Sequence, residues 1–233
     1  MARDDANWAK PVRTLDATDR DGAINANVRG RRLNALNGGF GRLFQKTFSV
    51  ALGGSVTPQD VIATWKARFG EFWPKGQKMF LSTTGIAPGE VGLINATIPG
   101  APTMATGILV TYADEVSFSF MTPEGHPFAG QLTFSAHADE QGVTVVQVQE
   151  LTRASDPFWE LAMLTPVLGQ RMQNDVWRAT LGNLARHFGA AEATVSATIV
   201  KVDGRWQWRN AKNIWQNAAI RSGLSAPLRL IRR

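Results

Sequence analysis

The fold class is predicted most clearly by one stretch of the chain, VSFSFMTPEGHPFAGQLTFSAHADEQGVTVVQVQELTRASDP, which spans residues 116–157. In VSFSF (116–120) and LTFSA (132–136) every second residue is apolar, which is the period of a β-strand with one buried face. Turn residues at 123–125 and 139–142 separate these strands from each other and from a third at 143–152. Such short connections predict antiparallel neighbours, and a sheet with one apolar face needs a cover.

A long helix directly after these strands is predicted to supply the cover. Asp156-Pro157 is typical of a helix start, with a capping side chain followed by proline at the first helical position. Phe188 ends the periodic pattern, and Gly189 follows as a stop. Pro166 and Gly169 lie inside the pattern and predict a kink or break between them. Apolar side chains recur at helical spacing at Leu161, Leu164, Leu168, Met172, Val176 and Ala179.

Before this stretch, between residues 44 and 112, the sequence predicts four more strands and one more helix. FQKTFSVAL (44–52) alternates as a strand, and Thr57-Pro58 begins a helix. Further strands are predicted at 79–84, 89–98 and 106–112. The fold class is therefore α+β, with a curved antiparallel sheet of about seven strands wrapped around a long C-terminal helix.

The two ends of the chain lie outside this predicted core. Residues 1–41 show no sustained period and are predicted to form an N-terminal arm, which leaves 42–189 as the central domain. Residues 190–233 are predicted to form a hairpin and basic tail packed on that domain. The hairpin would join a strand at 194–202 to RWQWR (205–209) through the turn Asp203-Gly204.

Several short blocks resemble a known superfamily. Together with the order of strands and helices, they are similar to the helix-grip fold of the START-like (SRPBCC) superfamily, and most similar to bacterial members of unassigned function. The resemblance in fold covers about residues 40–189 and implies a cavity between the sheet and the long helix. The blocks extend beyond this range and imply that the arm and the tail are part of the family unit, but the resemblance brings no catalytic motif. The blocks are GFG (39–41), QKT (45–47), FWP (72–74), FMTPEGH (120–126), RASDP (153–157) and NIWQNA (213–218).

The composition excludes several kinds of site. The chain has no cysteine, which rules out disulfides, thiolate metal ligands and cysteine nucleophiles. Its three histidines are scattered, and the common zinc, serine-hydrolase and phosphate-loop motifs are absent, so we expect no metal and no cofactor. We also expect a cytoplasmic protein, since no apolar segment has the length of a signal peptide or a membrane span.

The positive charge is concentrated at the C-terminus. Residues 201–233 hold eight basic residues and one acid, a net charge of +7, so the other residues carry −1 of the total of +6. This distribution argues against nucleic acid as the partner of the central domain. The segment from Leu224 to Arg233 is basic and leucine-rich, and its composition favours peripheral contact with a membrane.

Apolar residues on the predicted inner faces are candidates to line a ligand cavity. Aromatic and methionine side chains suit an adaptable apolar ligand, although the same residues would also suit a filled core. The candidates are Trp65, Phe69, Phe80, Tyr112, Phe118, Phe120, Phe134, Met163 and Met172.

Polar candidates lie on the loop at 124–127 and on the last predicted strand. Glu124 and His126 can exchange protons with a substrate, although turn geometry alone also explains the loop. On the strand, either Gln147 and Gln149 face the cavity, or the opposite face does and Glu150 is a buried carboxylate. Arg153, at the strand end, can form an ion pair with Glu150 or with an anionic ligand group.

Three functions are compatible with these features, and the sequence does not decide whether the chain is an enzyme. The first is binding or carrying a small hydrophobic ligand, lipid-like or polycyclic. The second is an enzyme similar to the polyketide cyclases, with His126, Glu124 or Glu150 as catalytic candidates. The third is a non-catalytic scaffold that docks through its basic tail.

Overall fold

One antiparallel sheet of eight strands organises the molecule. The computed structural model describes residues 4–53, 55–97, 102–165 and 170–231, without the side chains of Gln170, Met172 and 226–231. The strands lie in the order β2-β3-β4-β5-β6-β7-β1-β8. They are β1 (Leu43–Ala51), β2 (Gln77–Phe80), β3 (Val91–Ala96), β4 (Met104–Ala113), β5 (Ser117–Met121), β6 (Phe128–Ala138), β7 (Thr144–Ala154) and β8 (Ser196–Asp203).

The curved sheet and the helix that it encloses confirm the predicted fold class, with two differences at the C-terminal end. β8 pairs antiparallel with β1 and so makes an eighth strand, where about seven were predicted. The predicted hairpin is wrong, because 204–207 are irregular and a 3-10 helix begins at Trp208. Asp203 accepts hydrogen bonds from the backbone and side chain of Arg205, so a local side-chain bond replaces the expected strand pairing.

Both predicted helix starts are confirmed by their caps. Thr57 accepts a hydrogen bond from the backbone of Asp60, and Asp156 accepts one from Trp159. The long helix ends at His187, and Gly189 has the left-handed backbone that glycine tolerates best. The predicted kink at 166–169 lies outside the described residues. The helices are α1 (Pro58–Ala67), α2 (Phe69–Phe72), α3 (Pro157–Ala162), α4 (Gln170–His187) and α5 (Ala218–Ile231).

The core lies between the inner face of the sheet and helices α1, α2 and α4. Trp177, Leu181 and Leu184 of α4 belong to one buried cluster with the aromatic residues of β5 and β6, and the ring of Trp177 lies 5.6 Å from that of Phe134. The predicted inward stripe fails at its start, because Leu161 and Leu164 are exposed and α3 turns Trp159 and Ala162 inward instead.

The two ends of the chain pack against the domain. Leu15 and Val28, from the N-terminal segment, contact apolar residues of β3 and β4 in a second core cluster. Helix α5 packs on β4, where Ser222 is buried and accepts a hydrogen bond from the backbone of Ala105. The division into arm, central domain and tail stays a prediction.

Candidate functional site

A cavity of about 160 Å³ lies between the sheet and helices α3 and α4. β3, β4, β5 and β6 contribute apolar side chains, and the 126–128 loop forms part of its rim. Such a volume holds roughly one aromatic ring or a short alkyl segment. The prediction of a cavity between sheet and long helix therefore agrees with the structure.

Three residues of the cavity wall carry buried polar atoms without a partner among the described residues. These atoms are the indole nitrogens of Trp73 and Trp159 and the hydroxyl oxygen of Thr106. A buried donor without a partner costs free energy, about 1–3 kcal/mol in typical proteins. A ligand oxygen in the cavity would supply the partner that these groups lack.

Glu150 is the carboxylate of the mainly apolar wall. Its side chain is 1% exposed and accepts three hydrogen bonds. Thr152 donates to Oε1 at 2.6 Å, the amide of Gln173 donates to the same oxygen, and the indole of Trp177 donates to Oε2 at 3.2 Å. These bonds hold the carboxylate in one orientation beside the cavity.

Lys46 extends this network away from the cavity. It lies opposite Glu150 in the β1–β7 register, and its ammonium group donates a hydrogen bond to the side-chain oxygen of Gln173. Burial lowers the pKa of Lys46, and the charge of Glu150 opposes that shift. The lysine, the amide and the carboxylate thus form a buried polar chain.

His126 is the other titratable residue of the cavity wall. Its Nδ1 atom lies 3.1 Å from both the backbone nitrogen and the carbonyl oxygen of Phe128, which leaves Nε2 for a ligand. Burial lowers the pKa of His126 to about 4, because desolvation penalises the charged imidazolium. The ring is therefore neutral near pH 7.

Only some of the predicted site residues meet at the cavity. Phe120, Met163, His126 and Glu150 line it. The remaining inner aromatics fill the neighbouring part of the core and contact one another. They are Trp65, Phe69, Phe118 and Phe134.

Other predicted ligand contacts lie on the outer face of the sheet. Phe80 packs against the N-terminal segment, and Tyr112 contacts Trp8 and donates a hydrogen bond to Asp114. Gln147 and Gln149 also face outward, because Val146, Val148 and Glu150 carry the buried pattern of β7.

Three further predicted residues do not contribute a described side chain to the cavity. Glu124 forms an ion pair with Arg32 at 3.2 Å. Arg153 lies 3.4 Å from Asp203, so it does not pair with Glu150 as one hypothesis held. Met172 lies in α4, but its side chain is outside the described part of the structure.

The sequence interpretation missed most of the polar groups of the site. Thr106, Trp159 and Gln173 lie in elements that were predicted, and Trp73 lies in the connection before β2, but no local pattern points them at a common space. Lys46 could have been predicted, because it alternates along its strand with the buried Phe48 and Val50 and so places a charge on the buried face.

Two kinds of feature are absent from the described ranges. No group of three or more His, Asp or Glu residues is arranged to hold a metal ion there. No helix in the same residues is sufficiently long and apolar to span a membrane.

The fold is similar to several solved structures at low sequence identity. Ara h 8.0201 is 15% identical, with a TM-score of 0.43, covering 63% of this chain and 99% of that one. Protein Ms6760 from Mycobacterium smegmatis is 12% identical, with a TM-score of 0.42 and coverages of 60% and 89%. The di-domain ARO/CYC StfQ from the steffimycin biosynthetic pathway is 13% identical, with a TM-score of 0.46 and coverages of 63% and 50%.

Sequence comparison places the chain in a family. No curated protein matches the sequence. One family model matches residues 59–200, which include every residue that lines the cavity. The chain therefore belongs to the family described as Domain of unknown function (DUF1990).

Proposed function

We propose that the protein binds or carries a small hydrophobic molecule in this cavity, and that the molecule bears at least one oxygen atom. The supporting observation is the set of unpaired donors at Trp73, Trp159 and Thr106 around an apolar space. An apolar body would fill the space, and a carbonyl or hydroxyl oxygen would accept a hydrogen bond from the wall.

The enclosed volume limits the ligand. About 160 Å³ holds one ring, so a lipid-like or polycyclic molecule would place one end inside and leave the rest at the opening. We therefore expect single-ring phenols or ketones to bind the protein, and larger relatives to bind by the same buried end.

A cavity-filling variant tests this proposal. Ala96 lines the cavity, and Ala96→Phe should fill it and abolish binding of phenol or acetophenone in a calorimetric titration. Ala138→Phe, on the exposed end of β6, is the matched control and should bind normally. Equal binding by both variants, or no uptake of any apolar probe by the wild-type protein, would reject the proposal.

The alternative is a cyclase-like enzyme acting in the same cavity. Its support is that Glu150 and His126, two groups able to transfer protons, line one cavity. Glu150→Gln and His126→Ala should then abolish turnover of a bound polyketide-like substrate while leaving binding within a few fold. A carrier would show changes in affinity alone.

The third hypothesis, a scaffold that contacts membranes through the basic tail, stays a prediction. Ser222 is buried and hydrogen-bonded to Asn27, so a deletion that tests the tail should begin after it. Removal of 226–233 should weaken vesicle binding if the tail makes the contact, and unchanged binding would reject that role.

A further inference from the structure

Three exposed apolar side chains form a ridge on α3 and the residues that follow it. Leu161 is 58% exposed and Leu164 57%, although helical spacing predicts both to be buried, and Phe158 is 39% exposed. The opposite side of the same helix carries Trp159 and Met163, which line the cavity. Isolated exposed apolar residues are ordinary, but three within seven positions suggest a surface that becomes covered.

A row of cations and an indole lies on the neighbouring 3-10 helix, Trp208–Gln216. This helix has three residues per turn, so Arg209, Lys212 and Trp215 align one above the other. All three are exposed, and Trp215 is 81% exposed. Burying so large an aromatic surface would be favourable, by roughly 25 cal/mol per Å².

Asparagines on another side of this helix anchor it beside the ridge. Asn210 donates hydrogen bonds to the carbonyls of Asn37 and Gly39, both at 2.8 Å. Asn213 donates to the carbonyl of Ser155 at 2.9 Å, two residues before α3 begins. These bonds fix the row on the body of the protein, so its indole and cations are held outward.

Helix α3 and the 3-10 helix contact each other. The indole of Trp206, just before the 3-10 helix, donates a hydrogen bond to Glu160 of α3 at 3.1 Å, and its ring lies 5.7 Å from that of Trp208. The sequence from 204 to 233 contains no acidic residue. The ridge and the row therefore lie on two contacting helices, the second in a basic segment, and we call them together the docking surface.

We propose that the docking surface binds the headgroup layer of an anionic lipid bilayer. Tryptophan prefers the membrane interface, leucine inserts below it, and lysine and arginine are attracted to anionic headgroups. The aliphatic ridge favours lipid over nucleic acid, since bases stack on aromatic rings and gain little from leucine. Because α3 also walls the cavity, a docked protein would hold the cavity close to the lipid.

Vesicle co-sedimentation of the full chain tests this inference. We expect binding to vesicles of phosphatidylcholine mixed with phosphatidylglycerol, weak binding to phosphatidylcholine alone, and loss at high salt. Arg209→Glu combined with Lys212→Glu should lower the partition coefficient at least about tenfold. Trp215→Ser combined with Leu161→Ser should lower it by a similar factor with less salt dependence.

Matched controls use exposed residues elsewhere. Val12→Ser and Lys78→Glu make the same kinds of change on other surfaces and should leave partitioning unchanged. Thermal denaturation of each variant checks that it is folded, which is expected because all the substituted side chains are exposed.

Several outcomes would overturn the proposal. One is failure of the wild-type protein to bind anionic vesicles at low salt. Another is binding that survives both paired substitutions and disappears on deletion of 226–233, which would place the contact in the C-terminal residues. Tight binding of an oligonucleotide, or a dimer broken by Trp215→Ser, without vesicle binding would assign the surface to another partner. Vesicle binding does not require an occupied cavity, so it can succeed where the proposed ligand binding fails.

Discussion

The space between the sheet and its helices has two ends that differ in how they are filled. At one end Trp65, Phe69, Phe118 and Phe134 pack ring against ring, with the centroids of Phe118 and Phe134 4.7 Å apart. At the other end a cavity of about 160 Å³ remains, and its wall contains unpaired polar atoms. The packed end follows the close packing of ordinary cores, whereas the open end departs from it.

This difference separates residues that stabilise the fold from residues that bind a ligand. Aromatic side chains of neighbouring strands occupy both ends, so residue type does not distinguish them. What distinguishes the open end is a void whose wall carries three buried polar atoms without a described partner. The packed end also holds a buried indole nitrogen without a described partner, that of Trp65, but this residue does not line the cavity. Several unsatisfied polar groups around one void point to a function. Four predictions test whether the two ends differ in this way.

Substitution at the packed end should give the largest effect. Phe134→Ala removes a fully buried ring that contacts Trp65, Phe118 and Trp177, and should cost about 3–5 kcal/mol of unfolding free energy. Met163→Ala at the open end should cost about 1–2 kcal/mol, because its side chain already borders a void. Urea denaturation measures both, and equal losses would contradict the division into two ends.

Removal of the buried carboxylate should give the next largest effect. Glu150→Leu removes the negative charge that favours the charged form of Lys46 and leaves the indole donor of Trp177 without its acceptor, at a cost of about 3 kcal/mol. The double variant Lys46→Met with Glu150→Leu removes both charges and should recover most of that loss. A double variant as unstable as the single one would show that the two charges do not interact.

Substitution of an unpaired hydroxyl should be stabilising. Thr106→Val keeps the shape of the side chain and removes a buried group without a described partner, so it should add about 1 kcal/mol. The same variant should bind phenol or acetophenone more weakly. Thr180→Val is the matched control, since its hydroxyl donates to Val176 at 2.8 Å, and it should destabilise. Loss of stability in both variants would argue against a ligand-directed hydroxyl.

Near pH 7 the charge state of His126 should give the smallest effect, because its contribution to stability changes only at lower pH. Its pKa in the folded state is lowered to about 4, below the value near 6.5 of an unfolded chain, so the unfolded state binds more protons between these values. Its contribution to stability is therefore full above about pH 6.5 and is lost as the pH falls to about 4. His126→Gln should flatten this part of the stability profile, which urea denaturation at several pH values between about 4 and 7 measures.

The sequence predicted the elements of the fold because their causes are local. Two such patterns are the alternation of apolar residues in 116–120 and 132–136 and the helix caps at Thr57 and Asp156. Each depends on neighbours within one strand or one helical turn. The predicted hairpin at 194–209 is wrong for a local and a tertiary reason. Arg205 donates hydrogen bonds to Asp203 where the turn was expected, and asparagine bonds to the body hold the residues that follow.

The candidate site was only partly predictable. The alternation of apolar residues was sufficient to predict that a helix covers one sheet face, and the residue types on the loop and the last strand made His126 and Glu150 candidates for the cavity wall. Which face of β7 points inward, and which aromatics fill the core, depend on the packing of the whole fold. The same packing also brought Trp73, Thr106 and Trp159 around one space and left Leu161 and Leu164 outside. The alternation of side chains along a strand depends only on neighbouring residues, whereas the space that these side chains enter is formed by elements distant in the chain.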